Sequence, residues 1–101
     1  MTGGGTAKIV VVFVTRRSSG IGRRMESVLA RLQVRERSRV KIIRVDADRT
    51  PEVVRKLAVK EIPSLVVFRN REPVACLRGR ATLRDVDRAL ARAGRRVRRQ
   101  G

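Results

Sequence analysis

The stretch Lys8–Thr15 (KIVVVFVT) constrains the fold more than any other part of the chain. A β-branched run with almost no polar interruption has no face to give to water, so it reads as a central strand covered on both sides. A polar, Gly-containing turn, Arg16–Gly22, follows it. From Arg23 the period changes to that of a helix, with Met25, Val28, Leu29 and Leu32 on one face and Arg23, Arg24, Glu26 and Arg31 mostly elsewhere.

The rest of the chain continues the alternation. After a charged loop, Val34–Arg39, the segment Val40–Val45 (VKIIRV) is a second strand, left through Asp46-Ala47-Asp48. Thr50 is placed to cap a short helix, with Pro51 at its first position, Glu52 on the positive end of its dipole, and Val53, Val54, Leu57 and Ala58 as its apolar face. Ile62-Pro63 breaks that helix, and Ser64–Phe68 is a third strand. Asn70-Arg71 makes a tight turn into Pro73–Leu77, an edge strand by its leading proline. Gly79 punctuates. Thr82 and Asp85 have capping-box spacing and open a last helix, with Val86, Ala89, Leu90 and Ala93 inward and Gly94 placed to end it.

The order is therefore β-α-β-α-β-β-α, with residues 1–6 a flexible Gly-rich lead, 7–94 one domain and 95–101 a basic tail. Helical crossovers among the first three strands imply parallel pairing for neighbours so joined, and the final hairpin is antiparallel, giving a mixed four-stranded sheet between helices.

Composition narrows the function. At 101 residues, 42% hydrophobic, the chain can bury one core, and with only Phe13 and Phe68 aromatic that core must be aliphatic. No apolar run approaches a membrane span, and the N-terminus carries neither a charged start nor an apolar signal core. The single Cys76 cannot form an internal disulfide and is expected to be a small apolar filler, so the chain reads as soluble and cytoplasmic. Lys and Arg number 26 against 9 acids, a net charge of +17, which attracts polyanions such as RNA, DNA, acidic membranes or an acidic protein. Because nearly all the excess is arginine, GC-rich coding accounts for it equally well. The lack of Trp and Tyr argues against base-stacking recognition of single strands.

One motif misleads. Val14–Gly22 resembles the T-G-x-x-x-G-I-G fingerprint of short-chain dehydrogenases, but Arg16 replaces the first glycine and the chain has no tyrosine to serve as catalyst. No dinucleotide is therefore expected. A generic anion still fits this turn, where Arg16, Arg17, Arg23 and Arg24 converge on a helix start.

The second half carries a stronger likeness. Val45-Asp46-Ala47-Asp48, a short helix, Lys60-Glu61-Ile62-Pro63-Ser64-Leu65 and a strand ending Phe68-Arg69-Asn70 resemble the thioredoxin family, from about residue 7 to 94. The resemblance implies a three-layer α/β fold with a cis proline at Pro63. It lays the family's C-x-x-C on Ser19-Gly20-Ile21-Gly22, where neither end is a cysteine. The tryptophan before the motif is absent, and Val12 stands where the family keeps a buried carboxylate. Disulfide exchange needs a thiolate and a resolving thiol, so standard thioredoxin activity is not expected.

What remains is the surface around Ile62, Pro63 and Ser64, which in this family pairs with extended peptides. The leading expectation is a binding or adaptor module, with no catalytic residue, cofactor or metal, holding an extended or acidic protein segment between Arg16–Arg24 and Ile62–Pro63. A second reading is a nucleic-acid or ribosome-associated protein using Arg95, Arg96, Arg98 and Arg99 as well. The third is an atypical oxidoreductase.

Overall fold

The structure, a computed structural model, describes residues 9–98, with side chains through Ala93. The expected Gly-rich lead and the last three residues, Arg99 included, lie outside the described residues. The elements run β1 (Ile9–Thr15), α1 (Gly20–Arg35), β2 (Val40–Asp46), α2 (Pro51–Leu57), β3 (Ser64–Arg69), β4 (Glu72–Arg78) and α3 (Leu83–Arg98). The sheet order is β2-β1-β3-β4. Among the described residues no helix is long and apolar enough to cross a membrane.

β1 occupies the middle, as its composition requires. It pairs in parallel with β2 and antiparallel with β3, and Val11, Phe13 and Val14 have no exposed surface. Side chains alternate across a strand. Ile9, Val11 and Phe13 face a core shared with Met25, Leu29 and Leu32 of α1 and Val86, Ala89 and Ala93 of α3. Val12 and Val14 face a smaller cluster with Ala47 and Val66, covered by Val54 and Leu57 of α2. The three layers are thus α1 with α3, the sheet, and α2.

Five local expectations need correction. Helix α1 starts at Gly20 rather than Arg23, because Ser19 supplies a cap that the apolar period does not reveal. Strand β3 follows a helix yet is not β2's neighbour; it joins the far side of β1, antiparallel. Thr50 makes no side-chain cap, and its hydroxyl donates to the Asp46 carbonyl at 2.9 Å instead. Gly94 does not end α3, which continues to Arg98. Cys76 is also not a buried filler: it is exposed on β4, the outermost strand.

The turns carry their expected chemistry. Asn70 and Arg71 both take positive φ, 52° and 72°, the two-residue hairpin geometry that matches strand twist. At α3 the capping box is reciprocal: the Thr82 N–H donates to Asp85 Oδ2 at 2.9 Å and the Asp85 N–H to Thr82 Oγ1 at 3.2 Å.

The Thr82 backbone N–H, then its side chain, holds the Asp85 carboxyl below its ordinary value. A carboxyl depressed on folding adds stability above its unfolded pKa and loses it as pH falls through the folded one. Urea denaturation at stepped pH should therefore show wild type losing its advantage over Asp85→Asn below the ordinary aspartate range. A gap between the two that does not change with pH contradicts this.

Candidate functional site

The C-terminal end of β1 delivers the chain into the turn that the C-x-x-C comparison singled out. The Ser19 N–H donates to the Arg16 carbonyl at 3.1 Å, closing the turn. Ser19 sits at φ −80°, ψ 114°, and its Oγ accepts the Gly22 N–H at 2.9 Å. Ser19 is thus the helix cap, satisfying one of the N–H groups that a helix start leaves open. With no histidine in the chain, the usual base for a serine nucleophile is missing.

Gly22 is where the second thiol would stand, and a side chain there would run into the Thr15 hydroxyl unless Thr15 moved. A Cβ at Gly22 would lie 2.1 Å from Thr15 Oγ1 and 3.2 Å from Ser19 Oγ. The first turn of α1 therefore rests directly on the end of β1. Gly20 has nothing within 4 Å of its Cβ position, and Ile21 is 43% exposed, so the outer half of the motif faces solvent.

The Ile62–Pro63 peptide is cis. The register Val14↔Ser64 sets Pro63 beside Thr15, so this loop and the Ser19 turn share one end of the sheet. Pro63 is buried, and its carbonyl accepts the Gly79 N–H at 2.7 Å. Gly79 has φ +73°, the left-handed conformation that favours glycine, and a Cβ on it would displace only the flexible end of the Glu61 side chain. Ser64 is fully buried and its hydroxyl donates to the Glu61 carbonyl. Ile62 alone of these three keeps accessible surface.

The arginines divide. Arg16, Arg17 and Arg23 line a cavity of about 280 Å³ whose far wall is Arg44 and Asp46 of β2, with Gly22 and Thr15 behind. Arg44 grips Glu26 of α1 through Nε and Nη2 at 3.0–3.2 Å. Arg16 pairs with Asp48 at 3.4 Å, both more than half exposed, a contact of little energetic consequence. Arg24 is exposed outside that wall, Arg95, Arg96 and Arg98 fall in the last turns of α3, and Ile62 and Pro63 do not line the cavity. The wall from β2 was missed in the sequence, although alternation in VKIIRV already sets Arg44 on the same face as Ile42. Among the described residues no cluster of His, Cys, Asp or Glu suits a metal ion.

Comparison with known proteins agrees with this layout. The thioredoxin family model matches residues 5–92. Solved structures with the same fold include a Fasciola hepatica thioredoxin, 21% identical with a TM-score of 0.78 over 86% of this chain and 82% of that one. Another is the germline-specific thioredoxin Deadhead of Drosophila melanogaster, 22% identical with a TM-score of 0.77 over 84% and 80%. A structure described as a malarial protein is 17% identical, with a TM-score of 0.79 over 85% and 97%. No curated protein matches the chain.

The Gly22–Thr15 contact has a measurable consequence. Gly22→Cys should cost about 1–3 kcal/mol of stability by overpacking, and Thr15→Ala in the same chain should recover most of it. If Thr15 simply rotates aside, Gly22→Cys is nearly neutral and the double variant gains nothing.

Proposed function

We propose that this chain, which belongs to the thioredoxin family, is a binding module without disulfide chemistry that holds an extended or acidic protein segment. The observation that carries the reading is the double replacement at the redox position. Ser19 has become a helix cap and Gly22 a contact glycine against Thr15. Neither is a passive vacancy, and the pair leaves no thiolate at the helix start, where a thiol is most acidic. Cys76 does not compensate, since it lies on β4, which is separated from β1 by β3.

What stays is a recognition surface. The Ser19 turn and Ile62 share a sheet end, and Arg16, Arg17 and Arg23 surround the first turn of α1. Open N–H groups and the positive end of a helix favour carboxylates by about 0.3–1 kcal/mol each at exposed sites. A protein partner, in a reducing compartment such as the cytoplasm, suits that surface. A nucleic-acid reading rests on the +17 charge and predicts a different salt and nuclease response.

In an insulin-reduction assay the protein should show no turnover, and Cys76→Ser should change nothing; turnover abolished by Cys76→Ser would establish the oxidoreductase reading instead. In affinity capture at two salt concentrations, a protein partner should persist after nuclease treatment and be lost on Ile62→Asp or Arg16→Glu. Material that vanishes with nuclease and ignores Ile62 would overturn the peptide-groove reading.

A further inference from the structure

The two edges of the sheet are built differently. Strand β4 carries Pro73, and its register against β3 slips between Val67 and Phe68, which leaves Val74 as an extra residue. Proline and a bulge are devices that stop another chain from adding to an edge. Strand β2 has neither. It runs seven residues in unbroken register with β1, and among the described residues no strand lies on its other side.

The direction of its polar groups follows from one bond. The Ala47 N–H donates to the Thr15 carbonyl at 2.9 Å, continuing the β1–β2 ladder, so odd-numbered residues of β2 aim their N–H and C=O at β1. Even-numbered residues aim outward, and the Val40 N–H accordingly turns away to the Glu36 carbonyl at 2.9 Å. The outward row then offers the carbonyls of Val40, Ile42 and Arg44 and the N–H groups of Ile42, Arg44 and Asp46. Beside this row Lys41 is exposed and Ile43 is 39% exposed. At its C-terminal end the row runs into the cavity rimmed by Arg16, Arg17 and Arg23.

We propose that β2 is a second binding edge, to which an extended acidic segment of a partner protein adds as a fifth strand. A peptide backbone supplies donors and acceptors alternately, as the row demands, whereas nucleic-acid phosphates supply acceptors only. Charge selects among peptides. Among the described residues Arg17 and Arg23, which line the cavity together with Arg44, have no carboxylate within ion-pair distance. A second copy of this chain carries the same net charge of +17, so two such edges repel each other. An incoming strand with acids beside Arg44 and an apolar face beside Ile43 meets both requirements. This edge shares Arg17 and Arg23 with the proposed groove but not Ile62, so Ile62→Asp separates the failure of one proposal from that of the other.

The probe is a peptide of alternating glutamate and valine long enough to lie beside all of β2, with an alternating lysine and valine peptide as control. Amide hydrogen exchange by NMR should slow at Ile42, Arg44 and Asp46 with the acidic peptide and not with the basic one. Arg44→Pro removes one outward N–H at a position where an edge tolerates proline. It should weaken binding about fivefold or more relative to Arg44→Ala, which removes the ion pair to Glu26 but keeps the N–H. Ile62→Asp should leave this binding unchanged. Unaltered exchange at the three amides overturns the proposal, as does their protection by an RNA oligonucleotide alone or by self-association before peptide is added. Should Arg44→Pro not fold, the exchange experiment on the unaltered protein decides.

Discussion

Every other element takes its place from the double burial of β1. A strand with Val11, Phe13 and Val14 wholly removed from water needs a strand on each side and a layer on each face. β2 and β3 meet the first need, α1 with α3 and α2 meet the second. The end of that strand then fixes the site. Thr15 carries the Arg16–Ser19 turn on one side and lies beside Pro63 on the other, and Gly22 rests on it from above. A change at the end of β1 therefore reaches both halves of the proposed groove.

The C-x-x-C position is rebuilt rather than simply emptied of its thiols. A serine at the first position of the motif uses its oxygen to accept a backbone N–H, which anchors the helix. A glycine at the second lets the helix settle closer to β1 than a side chain would allow. Restoring two cysteines would have to undo both arrangements.

Much of the fold was legible because its signals are local. The unbroken β-branched run of β1, the Asn70-Arg71 turn and the Thr82–Asp85 box are each written in a few neighbouring residues, and each took the shape those residues dictate. What was not legible depends on distant partners. The direction of β3 is set by which side of β1 remains open, a fact no residue in Ser64–Arg69 states. Thr50 found a carbonyl at Asp46 that outcompeted its capping role, and α3 runs on past Gly94 to Arg98. For the site, sequence brought Ser19 and Gly22 into view through the C-x-x-C alignment. It missed Arg44 and Glu26, whose meeting depends on how α1 lies over β2.

The unequal covering of the sheet bears on how the molecule breathes. One face lies under two helices of 16 residues, the other under a single helix of seven that has no fully buried residue. Local opening is cheapest where little apolar contact has to be broken. The α2 side should thus detach and reseat many times for each global unfolding event. The Ile62–Pro63 loop leads out of that helix. The surface proposed to grip a partner would then be hinged on the most loosely held part of the fold, letting it adapt while the paired strands beneath stay fixed.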